Sequence, residues 1–317
     1  MPALTTLVLG AGASCSYGYP TGRQLRNKII AAVGDLDLME SITLRSKADL
    51  RIFRTKFSQS NDFSIDHFLA ANPMCVEIGK IAIAKVLLEC EKPSELYEDH
   101  QDHWYAYLSN ILTKSSWGNL DLSWLTIVNF NYDRSFEVAI QQALFHHYEG
   151  RSLDEVKQKM SAMKIHHVYG NLMSAWQAVP MYRYGVFEAM QETPEAWAEV
   201  VRNAAKNINV IDEHRDDRDF EDIRNAIQRS NRIAFLGFGF DATNVRRIST
   251  LGCFGTYAQQ KFVVATCRGM KTGEIFQARK FLFPNEENMQ AVNMDGMVRM
   301  VNAACEEMLR ETGVLTA

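Results

Sequence analysis

Ala3-Leu4-Thr5-Thr6-Leu7-Val8-Leu9 runs without a break into Gly10-Ala11-Gly12-Ala13-Ser14. The first seven residues are apolar and rich in β-branched side chains, the composition of a buried strand. The Gly-x-Gly that closes the run lets phosphates approach backbone N–H groups with no side chain in the way. A nucleotide bound at the end of this strand is the first expectation. A side chain at Gly12 is expected to fill the phosphate position. The pattern departs from the dehydrogenase fingerprint in two places. The third glycine position is Cys15, and residues 23–34 read as helix, so no second strand ends in an acid about 20 residues on. Hydride transfer of the usual kind is therefore disfavoured.

Working outward, four further short apolar runs follow: 124–129, 164–169, 232–237 and 261–266. Runs that are continuous rather than alternating suit a parallel sheet covered on both faces. The expected fold is α/β, a Rossmann-like, mostly parallel sheet. Over a hundred residues of helical texture separate the first two strands, with helices expected at 22–33, 38–58, 65–72, 75–90 and 100–114. That is too long for one crossover and reads as a large helical insertion, about 30–118. A second, smaller insertion is expected at about 173–230, with helices near 193–206 and 217–229. A C-terminal helical segment is expected at about 285–317, with Met297, Val301, Ala304 and Met308 on one stripe of a helix over 294–311. The whole chain, 1–317, reads as a single domain.

The chain has 317 residues, 47% hydrophobic and 23% charged, with a net charge of −4. This is ordinary for a globular protein and speaks against a nucleic-acid binder that is basic throughout. No direct nucleic-acid contact and no membrane association are expected. The N-terminus lacks the basic and apolar regions of a signal peptide, so the cytoplasm is the expected compartment. Six scattered cysteines (Cys15, Cys75, Cys90, Cys253, Cys267, Cys305) form no Cys-x-x-Cys pair, and buried thiols account for them better than zinc or disulfides.

The strand ends carry the polar chemistry. The second ends in Asn129-Phe130-Asn131-Tyr132-Asp133, the third in His166-His167-Val168-Tyr169-Gly170, and the fourth in Gly237-Phe238-Gly239-Phe240-Asp241. On a strand, His167 and Tyr169 share a face. Asn131 and Asp133 fit either a ligand site or a turn capping the next helix.

Together these segments resemble the sirtuin-like family, and within it the bacterial branch of anti-phage defence. Gly10–Ser14 followed by Gly18, Pro20, Gly22 and Leu25 resembles the first motif of that branch. Ser64-Ile65-Asp66-His67-Phe68-Leu69, Phe130-Asn131-Tyr132-Asp133 and Gly237–Asp241 are similar to later ones. The resemblance covers residues 4 to about 245. Deacetylase sirtuins carry a zinc ribbon of paired Cys-x-x-Cys motifs, which cannot form here. Where they follow the loop proline with Asp-Phe-Arg, this chain has Thr21-Gly22-Arg23. Both departures argue against deacetylation.

The resemblance implies an NAD⁺ hydrolase releasing nicotinamide and ADP-ribose, with NAD⁺ as substrate; the lack of paired cysteines leads to the expectation of no metal. In a defence system such an enzyme depletes NAD⁺. Gly10, Ala11, Gly12, Ala13, Ser14, Pro20 and Thr21 are then expected to hold the diphosphate side, Asp133 the carboxamide, and Gly237 and Gly239 the adenosine side. Asn131 is expected to orient the attacking water or a ribose hydroxyl, and His167 to act as base toward one of them. The family's His-Gly position is Tyr169-Gly170 here, so the base is open between His167 and Tyr169. The resemblance also implies a homo-oligomer and a separately encoded partner, such as a HerA-type ATPase or an Argonaute-related protein. The competing expectation is a non-catalytic NAD⁺ or ADP-ribose-binding scaffold or sensor.

Overall fold

The computed structural model describes residues 2–62, 64–98, 101–173, 183–190, 193–210, 217–249, 254, 261–282 and 298–316. The core is one six-stranded sheet, all pairs parallel. Its strands are β1 (Thr5–Leu9), β2 (Leu125–Asn129), β3 (Lys164–His167), β4 (Arg232–Leu236), β5 (Phe262–Thr266) and β6 (Val298–Val301). Their spatial order is β3-β2-β1-β4-β5-β6, the doubly wound arrangement of Rossmann-like folds. All five residues of β1 are buried, as the continuous apolar run requires of a central strand covered on both faces.

Between β1 and β2 lie α1 (Gly22–Ala32), α2 (Leu36–Thr43), α3 (Lys47–Gln59), α4 (Ile65–Ala71), α5 (Val76–Leu88) and α6 (Trp104–Leu112). Local chemistry sets their starts. Thr21 and Gln24 close a reciprocal capping box on α1, and Asp35, Ser46 and Ser64 cap α2, α3 and α4. α5 is buried nearly all round and forms the centre of this layer. The single helix expected over 38–58 is two helices. Leu44 takes a left-handed conformation at φ 56° and Ser46 starts a new cap, so the chain turns between α2 and α3.

After β2 come α7 (Ser135–His147) and α8 (Leu153–Met160). After β3 come α9 (Val186–Met190), α10 (Pro194–Ala205) and α11 (Asp217–Arg229). α12 (Ala242–Ile248) follows β4, and α13 (Thr272–Leu282) follows β5. α14 (Cys305–Thr312) ends the chain's regular structure.

The C-terminal helix expected over 294–311 is corrected. Val298–Val301 is a strand on the edge of β5, with Val298 opposite Val263 and Val301 opposite Thr266. The helix begins only at Cys305. Val-Arg-Met-Val has β-branched residues at both ends and fills the open edge beside β5, and this tertiary pairing overrides the helical spacing. Val301 and Met308 therefore sit on different elements. Met297, residues 285–297 generally, and Cys253 lie outside the described residues. Among the described residues, no helix is long and apolar enough to cross a membrane.

Candidate functional site

The turn after β1 folds as a 3-10 helix over Ala11–Tyr17 rather than as an open loop. Residues three apart eclipse in such a helix. Gly12 and Cys15 line a cavity of ≈ 450 Å³, while Ser14 and Tyr17 are buried on the core side. Trp104 Nε1 donates to Ala13 O at 2.8 Å, and Tyr17 stacks on Tyr105 at 3.8 Å between ring centroids. The insertion thus braces the turn through α6.

The glycines make the turn fit. Gly12 N–H donates to Gly237 O at 3.0 Å, and Ala13 N–H donates to Gly10 O at 2.9 Å. Two of the N–H groups expected to face a diphosphate are thus engaged within the protein. A Cβ on Gly12 would stand 2.8 Å from Gly237 Cα, and one on Gly10 would stand 2.5 Å from Gly237 O. The first obstacle to a side chain at Gly12 is therefore the backbone beyond β4. Gly237 itself has φ +56°, and a Cβ there would lie 2.1 Å from Ala13 N. Gly237→Ala is expected to cost about 2–3 kcal/mol or more, from the left-handed backbone and the clash together. Gly239→Ala, with nothing within 4 Å of its Cβ, is expected to cost under about 1 kcal/mol. Thermal denaturation of the two variants checks the contrast.

The ≈ 450 Å³ cavity is of ligand size. It opens at the carboxyl ends of β1, β4 and β5, beside the point where the strand order reverses, which is where open α/β sheets bind ligands. Ala11, Gly12, Thr21, Gly22, Gly237 and Gly239 line it, joined by Asp102, Arg268 and Cys305. Thr21 and Gly22 start α1, so the positive end of that helix dipole meets the cavity. Sequence reasoning missed Asp102, Arg268 and Cys305, since none lies in a recognisable motif.

A second polar cluster sits at the ends of β2 and β3. Asn131 Nδ2 donates to Gly10 O at 3.0 Å and to Ser14 Oγ at 3.1 Å, tying the end of β2 to the first turn. Asp133 Oδ1 accepts from the Ser135 N–H at 3.1 Å and from the Ser135 hydroxyl. Ser135 in turn shares a 2.7 Å hydrogen bond with Tyr105. Asp133 thus supports the start of α7, and burial drives its pKa up against these hydrogen bonds.

His167 Nε2 lies 2.5 Å from Glu137 Oε1, and both side chains are largely buried. Burial alone lowers the His167 pKa. The Glu137 carboxylate, its hydrogen bond, the charge of Asp133 and the Asn131 backbone outweigh that effect, and the net direction is up. Glu137 was missed by sequence reasoning. It lies four residues past Asp133 on α7, and only the parallel register that places Asn129 beside His167 brings it to the imidazole.

Tyr169 stands apart from this pair. Its hydroxyl donates to Asn244 Oδ1, and the Arg247 guanidinium covers its ring at 5.0 Å. Burial pushes its pKa well above the ordinary 10.0. Tyr132 donates to Asp66, so the Ser64–Leu69 motif also reaches this region. The expected residues therefore fall into two groups. Ala11, Gly12, Thr21, Gly237 and Gly239 line the cavity. Gly10, Ser14, Asn131, Asp133 and His167 belong to, or touch, the adjoining polar cluster. Ala13 is held between the two by Trp104, and Pro20 is buried beside Thr21.

Among the described residues, no group of three His, Cys, Asp or Glu side chains is placed to hold a metal ion. Comparison with protein-family models and with curated proteins gives no match, so the chemistry of the site rests on its own geometry.

Proposed function

We propose that the chain is an NAD⁺ hydrolase, cleaving the nicotinamide–ribose bond with water to give nicotinamide, ADP-ribose and a proton. Following the resemblance of its motifs, we assign it the role of an NAD⁺-depleting effector in bacterial defence. The observation that carries the reading is the Asn131 bridge. One amide links the glycine turn of the nucleotide crevice to the β2 end, next to an acid-paired histidine.

The chemistry asks little more of a protein. The leaving group is a cationic ring that departs neutral, so it needs no strong acid. The bond breaks through an oxocarbenium-like state, as in sugar hydrolysis. The protein must hold the diphosphate, orient the ribose, exclude bulk water and accept one proton. The cavity and the N-terminus of α1 suit the first task, Asn131 the second, and His167 the last.

The binding-module reading keeps one observation in its favour. The cavity wall is formed by the glycine turn and α1, not by the buried Asn131 or the partly buried His167. Incubation of the pure protein with NAD⁺, followed by chromatography of the products, separates the two. Hydrolysis is expected to release nicotinamide and ADP-ribose in equal amounts. Calorimetric binding of NAD⁺ with no product, alone or with the product of a neighbouring gene, establishes the binding module instead.

A further inference from the structure

Away from the crevice, the outer face of the insertion carries a local charge opposite to that of the whole chain. α1 holds Arg23, Arg26 and Lys28 and no acid, and α3 holds Lys47, Arg51, Arg54 and Lys56 against Asp49 alone. Between α1, the start of α2, and α3 lies a cleft of ≈ 430 Å³ lined by Ile30, Leu36, Arg51, Arg54, Thr55 and Ser58. Arg54 is fixed at its edge by a 3.2 Å bond from Nε to Ile30 O. Outside the cleft, Arg26 of α1 donates to Phe57 O at 3.2 Å and Ser58 O at 2.9 Å and so ties α1 to the end of α3.

The nearby acids are already committed. Asp37 and Glu40 pair with Lys47, Asp35 accepts the Leu38 N–H, and Asp49 is bonded to Ser46. Among the described residues, no carboxylate pairs with Arg26, Arg51 or Arg54. Two guanidiniums, two hydroxyls and an apolar floor therefore face one open cleft.

We propose that this cleft binds the phosphodiester backbone of a single-stranded nucleic acid. Arg51, Arg54 and Ser58 fall at i, i+3 and i+7 on one face of α3, a stripe of roughly 10 Å. That length matches two neighbouring phosphates of one strand, one for each guanidinium. Arg51 and Arg54 stand about one turn apart along α3, a spacing that suits successive phosphates of a chain. Guanidinium groups give the forked contacts that phosphate favours. Ile30 and Leu36 offer apolar surface to sugars or bases. The whole-chain charge of −4 hides this face because the compensating acids lie elsewhere. The proposal is independent of NAD⁺ chemistry.

The test is fluorescence anisotropy of the full chain with a labelled oligothymidylate of about twelve nucleotides, at a series of salt concentrations. Two neutralised phosphates predict a slope of about −1.4 for log affinity against log salt. Arg51→Ala, whose side chain makes no fixed hydrogen bond, is expected to flatten that slope by about 0.7. Arg51→Glu, which breaks no such bond, is expected to weaken binding several-fold with an unchanged circular-dichroism melt. Lys114→Glu, an exposed lysine on another face, is expected to bind as the parent does. Absence of binding at low salt overturns the proposal, as does equal loss in the Lys114 variant. Complete displacement of the oligonucleotide by inorganic phosphate at matched phosphate concentration also overturns it, in favour of a small-anion site.

Discussion

Replacing His167 with alanine is expected to lower NAD⁺ turnover by about 100-fold or more while leaving NAD⁺ affinity nearly unchanged. That magnitude is usual for a lost general base. The affinity is preserved because the cavity is lined by the glycine turn and the start of α1, not by the imidazole. The pH dependence follows from Glu137. In the folded protein the His167 pKa is raised above its ordinary 6.5, so the base form appears only as the pH climbs past that value. Turnover is expected to rise with pH through this window. Glu137→Gln removes the charge that raises the pKa and leaves burial, which lowers it. The midpoint of the rate profile is therefore expected to move to lower pH.

Stability follows the opposite course. A raised histidine pKa stabilises the fold fully below the unfolded value and loses that contribution as the pH rises through the folded one. The parent is expected to melt at a lower temperature at pH 8 than at pH 6, and Glu137→Gln to show a smaller drop. Full activity in His167→Ala together with an inactive Tyr169→Phe would move the base to the tyrosine. Full activity in both His167→Ala and Asn131→Ala would remove the catalytic reading.

The sheet was legible where the chain itself carries the pattern. Five strands are continuous apolar runs, and the structure places them within one or two residues of the expected bounds. Val298–Val301 was not legible, because its four residues satisfy a helical stripe as well as a strand, and only the vacant edge of β5 decides. The turn between α2 and α3 was hidden in the same way, since apolar spacing continues across Leu44 while Ser46 breaks the backbone.

At the site, glycines and strand-end polar residues could be read because they follow runs of recognisable type. Glu137 could not, since a buried glutamate on α7 is defined by its partner on β3 rather than by its neighbours in sequence. Nor could the two roles of the glycines be separated. Backbone approach to a ligand and backbone approach to Gly237 ask for the same missing side chain. The arginine stripe on α3 was lost in the chain-wide charge, where acids far away in space are counted equally.

Removing Glu91 is expected to produce the largest loss of stability of any single change outside the glycine turn. Glu91 and Arg134 form a forked pair, Nε to Oε1 at 2.8 Å and Nη2 to Oε2 at 2.9 Å, with both side chains almost fully buried. Glu91 follows α5, Arg134 opens α7, and Glu91 Oε2 also accepts the Gly185 N–H at 3.1 Å from the second insertion. Tyr184 lies against the guanidinium, and its hydroxyl is 3.0 Å from that of Tyr19, just before the α1 cap. One ion pair therefore joins both insertions to the β2 end and the first turn.

Breaking such a pair from one side costs about 3–5 kcal/mol, because a desolvated charge is left without its partner. The two halves should differ with pH. Glu91→Ala strands a guanidinium that cannot shed its proton, so its penalty, read by urea denaturation, is expected to hold from pH 5 to pH 8. Arg134→Ala strands a carboxylate that can take one up. Its penalty is therefore expected to be smaller at low pH, since an unpaired buried carboxylate sheds the cost of its charge by taking up a proton. Exchanging both residues for leucine removes both charges and is expected to recover most of the loss. The recovery is incomplete because the Gly185 N–H loses its acceptor. Equal stability of parent and Glu91→Ala would show that the pair does not hold the insertions to the sheet.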